Sequence, residues 1–324
     1  MINTSSQRSH LMVGACLAGL LFSGCMPKQS ASLVQDKQDT FSSSTQIIGV
    51  PFFPQQDYQC GPAALAMTMV HAGVEVSPKQ LRPELYIPKK RGSLQIEMMA
   101  TPRRYGLLAY PLKPQLVDIL KEIEAGHPVI IFQNLGLSFA PQWHYAVATG
   151  FNLAEGEITL HSGNTADYSE ALTTFERTWV RADSWAMVVL AAGQLPSTAT
   201  MKDYLKATVG LEQAGFQEAA LKSYEAALSR WPENLTAWMG AGNTHYALGN
   251  IEEAANAFSQ ASLHHPKATG PLNNLAQIRL EQGRNQDARA AIQRAIELDH
   301  TSELLQRTRS EIENRTDDNV VTKQ

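Results

Sequence analysis

One cysteine lies where a helix is predicted to begin, in the stretch Gln59-Cys60-Gly61-Pro62-Ala63. Pro62 suits the first turn of a helix, and the run of Ala, Leu and Met up to Gly73 has high helix propensity. Unpaired N–H groups and the positive end of the helix dipole favour a thiolate there, which is the form that acts as a nucleophile or metal ligand. From this stretch alone, a reactive thiol and a buried structural cysteine are both open interpretations.

His144 is a candidate for the proton acceptor that a reactive thiol needs. It lies in a predicted strand over 143–150, which pairs through a hairpin-like turn with a second strand over 156–163. If the Cys60 helix packs on this sheet, the imidazole can take the thiol proton and return it to a leaving amine. The position of His144 also fits an ordinary polar residue at the end of a strand.

The first 25 residues have the pattern of an export signal. Arg8 precedes an apolar run from Leu11 to Phe22, which is shorter than the roughly 20 residues of a spanning helix. The ending Leu21-Phe22-Ser23-Gly24-Cys25 resembles the lipobox of bacterial lipoproteins, which implies a lipid on Cys25. Met26 follows instead of Asp, and the resemblance then implies an outer-membrane protein facing the periplasm. The alternative is an ordinary secretory signal with an accidental cysteine.

Export and lipidation would leave one free thiol. The chain has three cysteines, of which Cys16 lies in the signal and Cys25 would be acylated. Cys60 then has no partner for a disulfide within the chain, even in an oxidising compartment. This favours a chemical function for Cys60.

Composition gives the broad class of the protein. The chain has 324 residues, a formal charge of −4 and 44% hydrophobic residues, so it can bury a core and gives no electrostatic support for nucleic-acid binding. We predict a signal peptide over 1–25, a flexible tether over 26–45, a first domain over 46–193, a linker over 194–200, repeats over 201–302, and a capping helix with a polar tail over 303–324.

The first domain is predicted to be α+β. Helices are expected at the Cys60 stretch, over 94–105 with Ser93 as the N-cap, and over 114–125, followed by mainly strand-forming sequence. The second half therefore supplies a small sheet for the Cys60 helix to pack on.

Three boxes in this domain resemble papain-like cysteine peptidases related to the bacteriocin-processing, double-glycine peptidase family. They are Val50-Pro51-Phe52-Phe53-Pro54-Gln55, Cys60-Gly61-Pro62-Ala63-Ala64-Leu65-Ala66-Met67 and His144-Tyr145-Ala146-Val147-Ala148-Thr149-Gly150. The resemblance covers about residues 46–193 and implies a papain-like fold.

The same resemblance implies roles for individual residues. Cys60 would be the nucleophile, and His144 the general base and acid. A glutamine upstream of the nucleophile would complete an oxyanion hole through its side-chain amide. Gln55 is the first choice for this role and Gln56 is the alternative.

The residue that orients the histidine departs from the family pattern, which has an Asp after the next strand. Here the sequence reads Leu160-His161-Ser162-Gly163-Asn164, so Ser162 takes the acidic position and Asn164 follows. Either could orient His144. A metal site of Cys60, His144 and His161 is the less favoured alternative, and no metal or cofactor is expected. Trp143 is interpreted as a core residue rather than a shield of the catalytic pair.

Three blocks of equal length, 201–234, 235–268 and 269–302, repeat one pattern. The shared positions are Gly215, Gly249 and Gly283; Ala220, Ala254 and Ala288; Tyr224, Phe258 and Ile292; Ala227, Ala261 and Ala295; and Pro232 and Pro266. The blocks resemble tetratricopeptide repeats, which implies paired helices around a concave groove that binds a peptide or protein. The alternative is a stabilising appendage or a dimer contact.

These observations together favour a lipid-anchored periplasmic cysteine peptidase, or a related thiol acyl-transfer enzyme, whose repeats bind a protein partner. The expected partners are a peptide or protein substrate, a protein on the repeats, and the membrane through the lipid anchor only. A double-glycine substrate is what the resemblance alone suggests. The alternative is a catalytically impaired peptidase fold that acts as a peptide-binding or scaffold module.

Overall fold

The computed structural model describes residues 28–35, 41–55 and 59–321. The predicted signal peptide, Cys16, Cys25 and Gln56 lie outside these ranges. Within them, no helix is both long enough and apolar enough to cross a membrane.

The first domain is built on one antiparallel sheet of seven strands. Their bounds are β1 Ser44–Gln46, β2 Leu108–Pro111, β3 Val129–Asn134, β4 Trp143–Asn152, β5 Glu157–Ser162, β6 Thr165–Ala171 and β7 Ala186–Leu190. The order across the sheet is β2-β7-β3-β4-β5-β6, and β1 pairs with the far end of β4. The longest strand, β4, therefore lies near the centre and is held along its whole length.

Helices cover both faces of this sheet. Their bounds are α1 Lys28–Gln35, α2 Cys60–His71, α3 Pro78–Leu85, α4 Gln95–Arg103, α5 Leu116–Glu124 and α6 Leu172–Val180, with a 3-10 turn at Pro88–Lys90. Every residue of α2 from Gly61 to Met69 is buried, which is why its sequence has no polar face. The predicted α+β fold is confirmed.

Two apolar cores lie on opposite faces of the sheet. On one face, α2 packs Leu65 and Met67 against Tyr145 and Val147 of β4. On the other face, the core contains side chains of α5 and α6 and continues into the helices that follow the sheet domain. The N-terminus of α2 is therefore fixed against β4 by continuous packing.

The second half of the chain is a stack of paired helices. Their bounds are α7 Met201–Gln213, α8 Gln217–Arg230, α9 Leu235–Ala247, α10 Ile251–His264, α11 Thr269–Glu281, α12 Asn285–Leu298 and α13 Glu303–Val321. Each turn within a pair contains the shared glycine, with φ of +84° at Gly215, +79° at Gly249 and +71° at Gly283. Only glycine adopts this left-handed conformation without strain. The prediction of tandem helical repeats is confirmed.

The predicted tether is wrong in part, because residues 28–35 form α1 and pack on the sheet domain. Backbone N–H groups of Gln29 and Ser30 donate to the buried carboxylate of Glu176 at 3.1 and 2.8 Å. The Gln29 side chain also accepts from the backbone N–H of Leu116 at 2.6 Å. The sequence does not predict this contact, because Glu176 and Leu116 lie far along the chain from α1.

The predicted linker is also bound to the sheet domain. The fully buried carboxylate of Glu122 accepts from the backbone N–H groups of Ser197 and Thr198 at 3.1 and 2.7 Å, and from the Thr198 hydroxyl at 2.6 Å. His127 Nδ1 lies 2.7 Å from the same carboxylate. Glu122 thus joins the two halves of the chain.

We predict that Glu122→Ala lowers the free energy of unfolding by about 3 kcal/mol, because it removes the buried carboxylate that accepts three hydrogen bonds from Ser197 and Thr198. Urea denaturation followed by circular dichroism measures the change. Glu155→Ala, which removes an exposed carboxylate, is the matched control. Equal stability of the two variants would contradict the role given to Glu122.

Candidate active site

Cys60 is the first residue of α2 and is half-buried. Burial raises the pKa of its thiol, and hydrogen bonds from the backbone N–H groups of Tyr145 and Gly61 lower it only in part. The sequence predicts a thiolate from the helix end alone. In the structure, loss of solvent outweighs that effect, so the thiol is protonated at neutral pH.

His144 is the second residue of β4, and its Nε2 lies 2.9 Å from the hydroxyl oxygen of Ser162. Burial lowers the pKa of His144 to about 4, so the imidazole is neutral at pH 7. Serine carries no charge that would stabilise an imidazolium ion. The resting pair is therefore a neutral thiol and a neutral imidazole, and not a thiolate and an imidazolium ion.

Ser162 and Asn164, the two candidates for orienting His144, occupy different environments. Ser162 ends β5 and makes the contact to His144 Nε2. Asn164 lies exposed in the turn between β5 and β6. Of the two candidate residues, Ser162 is the one that contacts His144.

Gln55 lies in the segment that leads to α2. Its side-chain Nε2 donates to the Tyr145 carbonyl oxygen at 3.3 Å, and its backbone N–H donates to the Gly163 carbonyl oxygen at 3.0 Å. Its Oε1 is buried and has no hydrogen-bond partner. An amide has two N–H donors, so one remains for a ligand beside Cys60.

His161 does not join Cys60 and His144. Its Nε2 faces the Val50 carbonyl oxygen at 3.3 Å, and its Nδ1 accepts from the backbone N–H of Asp167 at 3.2 Å. Among the described residues, no group of three or more His, Cys, Asp and Glu side chains is arranged to hold a metal ion.

A cleft of about 850 Å³ contains Gln55, Cys60 and His144. Its walls are residues 90–95 on one side and residues 141–145 on the other. Both walls carry polar side chains, among them Gln95 and Gln142, and the cleft is open beside Cys60 and His144.

Two cleft residues, Ser93 and Tyr145, have roles that the sequence did not indicate. The Tyr145 hydroxyl donates to the Ser93 carbonyl oxygen at 3.2 Å and joins the two walls. Ser93 does not cap α4, whose N-cap is Leu94, and its hydroxyl oxygen is buried without a partner. Since the predicted cap was a local pattern, only the tertiary structure reveals that this hydroxyl is buried beside Gly61 at the start of α2.

The core interpretation of Trp143 is wrong. Its side chain is 53% exposed and stacks on Phe132, with ring centroids 5.3 Å apart. Trp143 therefore forms part of the cleft wall beside His144.

Comparison with protein families divides the chain in the same way as the fold does. Residues 47–187 match the Peptidase_C39 like family, and residues 210–263 and 240–303 match the tetratricopeptide repeat. The chain carries a Peptidase_C39-like domain followed by tetratricopeptide repeats. No match was found among curated proteins.

Several solved structures resemble parts of the chain. A putative C39-like peptidase from Bacillus anthracis is 20% identical, covers 45% of this chain and 97% of its own, and has a TM-score of 0.38. The Sgt2 repeat domain from Aspergillus fumigatus is 19% identical, with coverages of 36% and 79% and a TM-score of 0.34. The Yersinia enterocolitica secretion chaperone SycD, bound to a peptide of the translocator YopD, is 17% identical, with coverages of 38% and 95% and a TM-score of 0.34.

We predict that the rate of Cys60 alkylation by iodoacetamide rises about tenfold per pH unit from pH 6 to pH 8, because the thiolate fraction increases toward a raised pKa. Peptide mass mapping locates the label on Cys60, and glutathione serves as the free-thiol control. A rate that stays level from about pH 5 upward would instead indicate an ion pair with a depressed thiol pKa.

Proposed function

We propose that this protein is a cysteine peptidase that cleaves a peptide or protein substrate with Cys60 as its nucleophile. One observation carries the proposal: the Cys60 sulfur accepts a hydrogen bond from the backbone of Tyr145, the residue next to His144, within one open cleft. Thiol and imidazole are thus present on rigid elements, with backbone donors around them.

In the first step, the thiol attacks the substrate carbonyl carbon. His144 Nδ1 takes the thiol proton as the sulfur–carbon bond forms, while Nε2–H stays bonded to the Ser162 hydroxyl oxygen. Because the resting pair is neutral, proton transfer accompanies the attack and does not precede it. The product of this step is a tetrahedral oxyanion and an imidazolium ion.

The oxyanion lies beside two donors. The backbone N–H of Cys60 is in the first turn of α2, where no carbonyl of the helix can accept it. The second Nε2 proton of Gln55 is the side-chain donor, and one such donor stabilises the transition state by about 3 kcal/mol in hydrolases.

The imidazolium ion then protonates the leaving amine as the carbon–nitrogen bond breaks, and a thioester remains on Cys60. Water, deprotonated by His144, hydrolyses the thioester and restores the thiol.

The repeats are proposed to bind a protein partner, as tetratricopeptide repeats generally do. Polar side chains of α9 and α11 line a recess of about 310 Å³, among them Asn243, Asn274 and Gln277. Amide side chains of this kind suit the backbone of an extended peptide.

A binding role without catalysis is the second candidate, and it has its own support. Ser162 supplies no charge to His144, and an imidazole whose pKa is about 4 is a weak base at pH 7. Under this alternative the cleft would hold a peptide without cleaving it.

Peptide cleavage separates the two candidates. Periplasmic extracts incubated with the protein should gain new protein N-termini, identified by mass spectrometry, and Cys60→Ala should produce none. With a peptide derived from such a site, we predict that His144→Ala lowers kcat/KM by about a thousandfold and that Ser162→Ala lowers it by about tenfold.

Ser162→Asp is the complementary variant. A carboxylate there raises the pKa of His144 and should restore or increase kcat/KM relative to Ser162→Ala, because the imidazolium ion is stabilised. The binding role would be favoured if the wild-type protein produces no new N-termini and retains a peptide from the extract intact.

We also propose that Cys25 carries a lipid that anchors the protein on the periplasmic side of the outer membrane. The lipobox-like ending at Cys25 supports this proposal. Because α1 begins at Lys28 and is bound to the domain through Glu176, such a lipid would hold the domain close to the bilayer.

For the anchor, we predict that protein expressed in a bacterial host incorporates alkynyl palmitate and sediments with outer membranes. Cys25→Ala should lose the label and the membrane association, whereas Cys16→Ala should keep both. A label retained in Cys25→Ala, or soluble wild-type protein, would contradict the anchor.

A further inference from the structure

His161 is a buried histidine that the proposed mechanism does not use. Its side chain lies near the end of β5, two residues before Gly163, which lines the cleft. The residue is only 4% exposed, and both of its ring nitrogens bond to other segments of the chain. Because a buried imidazole needs partners for both nitrogens, its role follows from the two segments that it joins.

The hydrogen bonds determine which nitrogen of His161 carries the proton. The backbone N–H of Asp167 donates to Nδ1 at 3.2 Å, so Nδ1 is an acceptor without a proton. In a neutral imidazole the proton is then on Nε2, which donates to the Val50 carbonyl oxygen at 3.3 Å. His161 therefore offers an acceptor to one segment and a donor to the other.

Asp167, the donor to His161, has an unusual backbone conformation. Its φ of +50° lies in the left-handed region that residues other than glycine rarely adopt. Its carboxylate lies 3.7 Å from His161 Nδ1 but accepts from Gln46 Nε2 at 3.1 Å, which leaves Nδ1 to the backbone N–H. Strain of this kind persists where surrounding contacts maintain it, and the bond to His161 is one such contact.

Val50, the acceptor from His161, begins the segment that carries Gln55. Residues 50–55 include two prolines, which have no N–H group, so this segment cannot pair along β5 as a regular strand. Hydrogen bonds tie both of its ends to the end of β5 instead. His161 Nε2 donates to Val50, and the Gln55 backbone N–H donates to the Gly163 carbonyl oxygen at 3.0 Å.

Aromatic packing adds to the contact between His161 and this segment. The Phe52 ring meets the His161 ring edge to face, with centroids 5.4 Å apart and 73° between the planes. Val50, Phe52 and Phe53 also pack against the core that contains α2. The segment is thus held between His161 and that core, and its far end carries the Gln55 amide, which donates to the Tyr145 carbonyl oxygen at 3.3 Å.

We infer that His161 is a positioning residue that holds the Gln55 side-chain amide in the site by fixing Val50. The inference rests on the proposed peptidase function and adds the group that keeps the oxyanion donor in place. His161 is not among the described residues that line the cleft, so it acts through Gln55 and not on the substrate.

Three substitutions of His161 separate the contributions of the two ring nitrogens. His161→Leu removes both nitrogens. His161→Asn places an amide near the position of Nδ1, and His161→Gln places one near the position of Nε2, where it can donate to Val50. His71→Leu is the matched control, because His71 Nε2 lies 3.1 Å from the Gly126 carbonyl oxygen at the opposite end of α2 from Cys60. Circular dichroism verifies that the variants are folded.

Turnover of a peptide that spans a cleavage site found in the periplasmic extract gives the first readout. His161→Leu and His161→Asn should lower kcat by about thirtyfold and change KM by less than about twofold, because an oxyanion donor acts in the transition state. His161→Gln and His71→Leu should keep kcat within about threefold of the wild-type value, because both leave the donor to Val50 in place.

A double variant tests whether His161 acts through Gln55. Gln55→Ala alone should lower kcat by about a hundredfold. Adding His161→Leu, or His161→Asn if the leucine variant does not fold, should lower it by less than about threefold more, because the donor is already absent. Losses that multiply, or equal losses of kcat in His161→Gln and His161→Asn, would overturn the inference and leave the peptidase proposal intact.

Hydrogen exchange followed by mass spectrometry tests the position of the segment without a substrate. In His161→Leu and His161→Asn, the amides of residues 50–55 should exchange at least about fivefold faster than in the wild-type protein and in His161→Gln, while those of α2 keep their rates. Unchanged exchange of residues 50–55 would overturn the inference. If the wild-type protein cleaves no peptide, the peptidase proposal fails, and this exchange pattern alone decides whether His161 holds Gln55.

Discussion

The rest of the site depends on how Tyr145 is held. Its ring is buried where α2 packs on β4, and burial raises the pKa of its hydroxyl, which therefore stays protonated as a donor. Its backbone N–H bonds the Cys60 sulfur, its carbonyl oxygen accepts from Gln55, and its hydroxyl donates to Ser93. One residue thus fixes Cys60, Gln55 and Ser93 relative to each other, and it does so with α2 packed rigidly beneath it.

The same burial sets the protonation state of the catalytic pair. Packing of α2 on the sheet removes water from Cys60 and His144, which raises one pKa and lowers the other. A carboxylate beside His144 would oppose this effect, but Ser162 offers a hydroxyl group. The site therefore orients His144 without charging it, and in the proposed reaction the proton moves as the sulfur–carbon bond forms.

The features predicted correctly from sequence are those that local patterns determine. The helix at Cys60 follows from Pro62 and the alanine-rich run, and the repeats follow from their periodic glycines and alanines. The features that the sequence did not predict depend on contacts with residues that lie far away along the chain. Examples are α1 held by Glu176, Trp143 stacked outward on Phe132, and the Ser93 hydroxyl buried beside Gly61. The neutral pair was missed for the same reason, because desolvation depends on how the whole domain closes over α2.

If Cys60 and His144 act as proposed, the peptide bond is cleaved through a thioester on Cys60. The most direct measurement is rapid acid quenching during turnover of a cleaved peptide, followed by mass spectrometry of the intact protein and of its Cys60 peptide. We expect a burst of acyl adduct on Cys60 that hydrolyses in subsequent turnover and is absent in Cys60→Ala. Hydrolysis without any adduct on Cys60, or a bound peptide that is neither acylated nor cleaved, would contradict it.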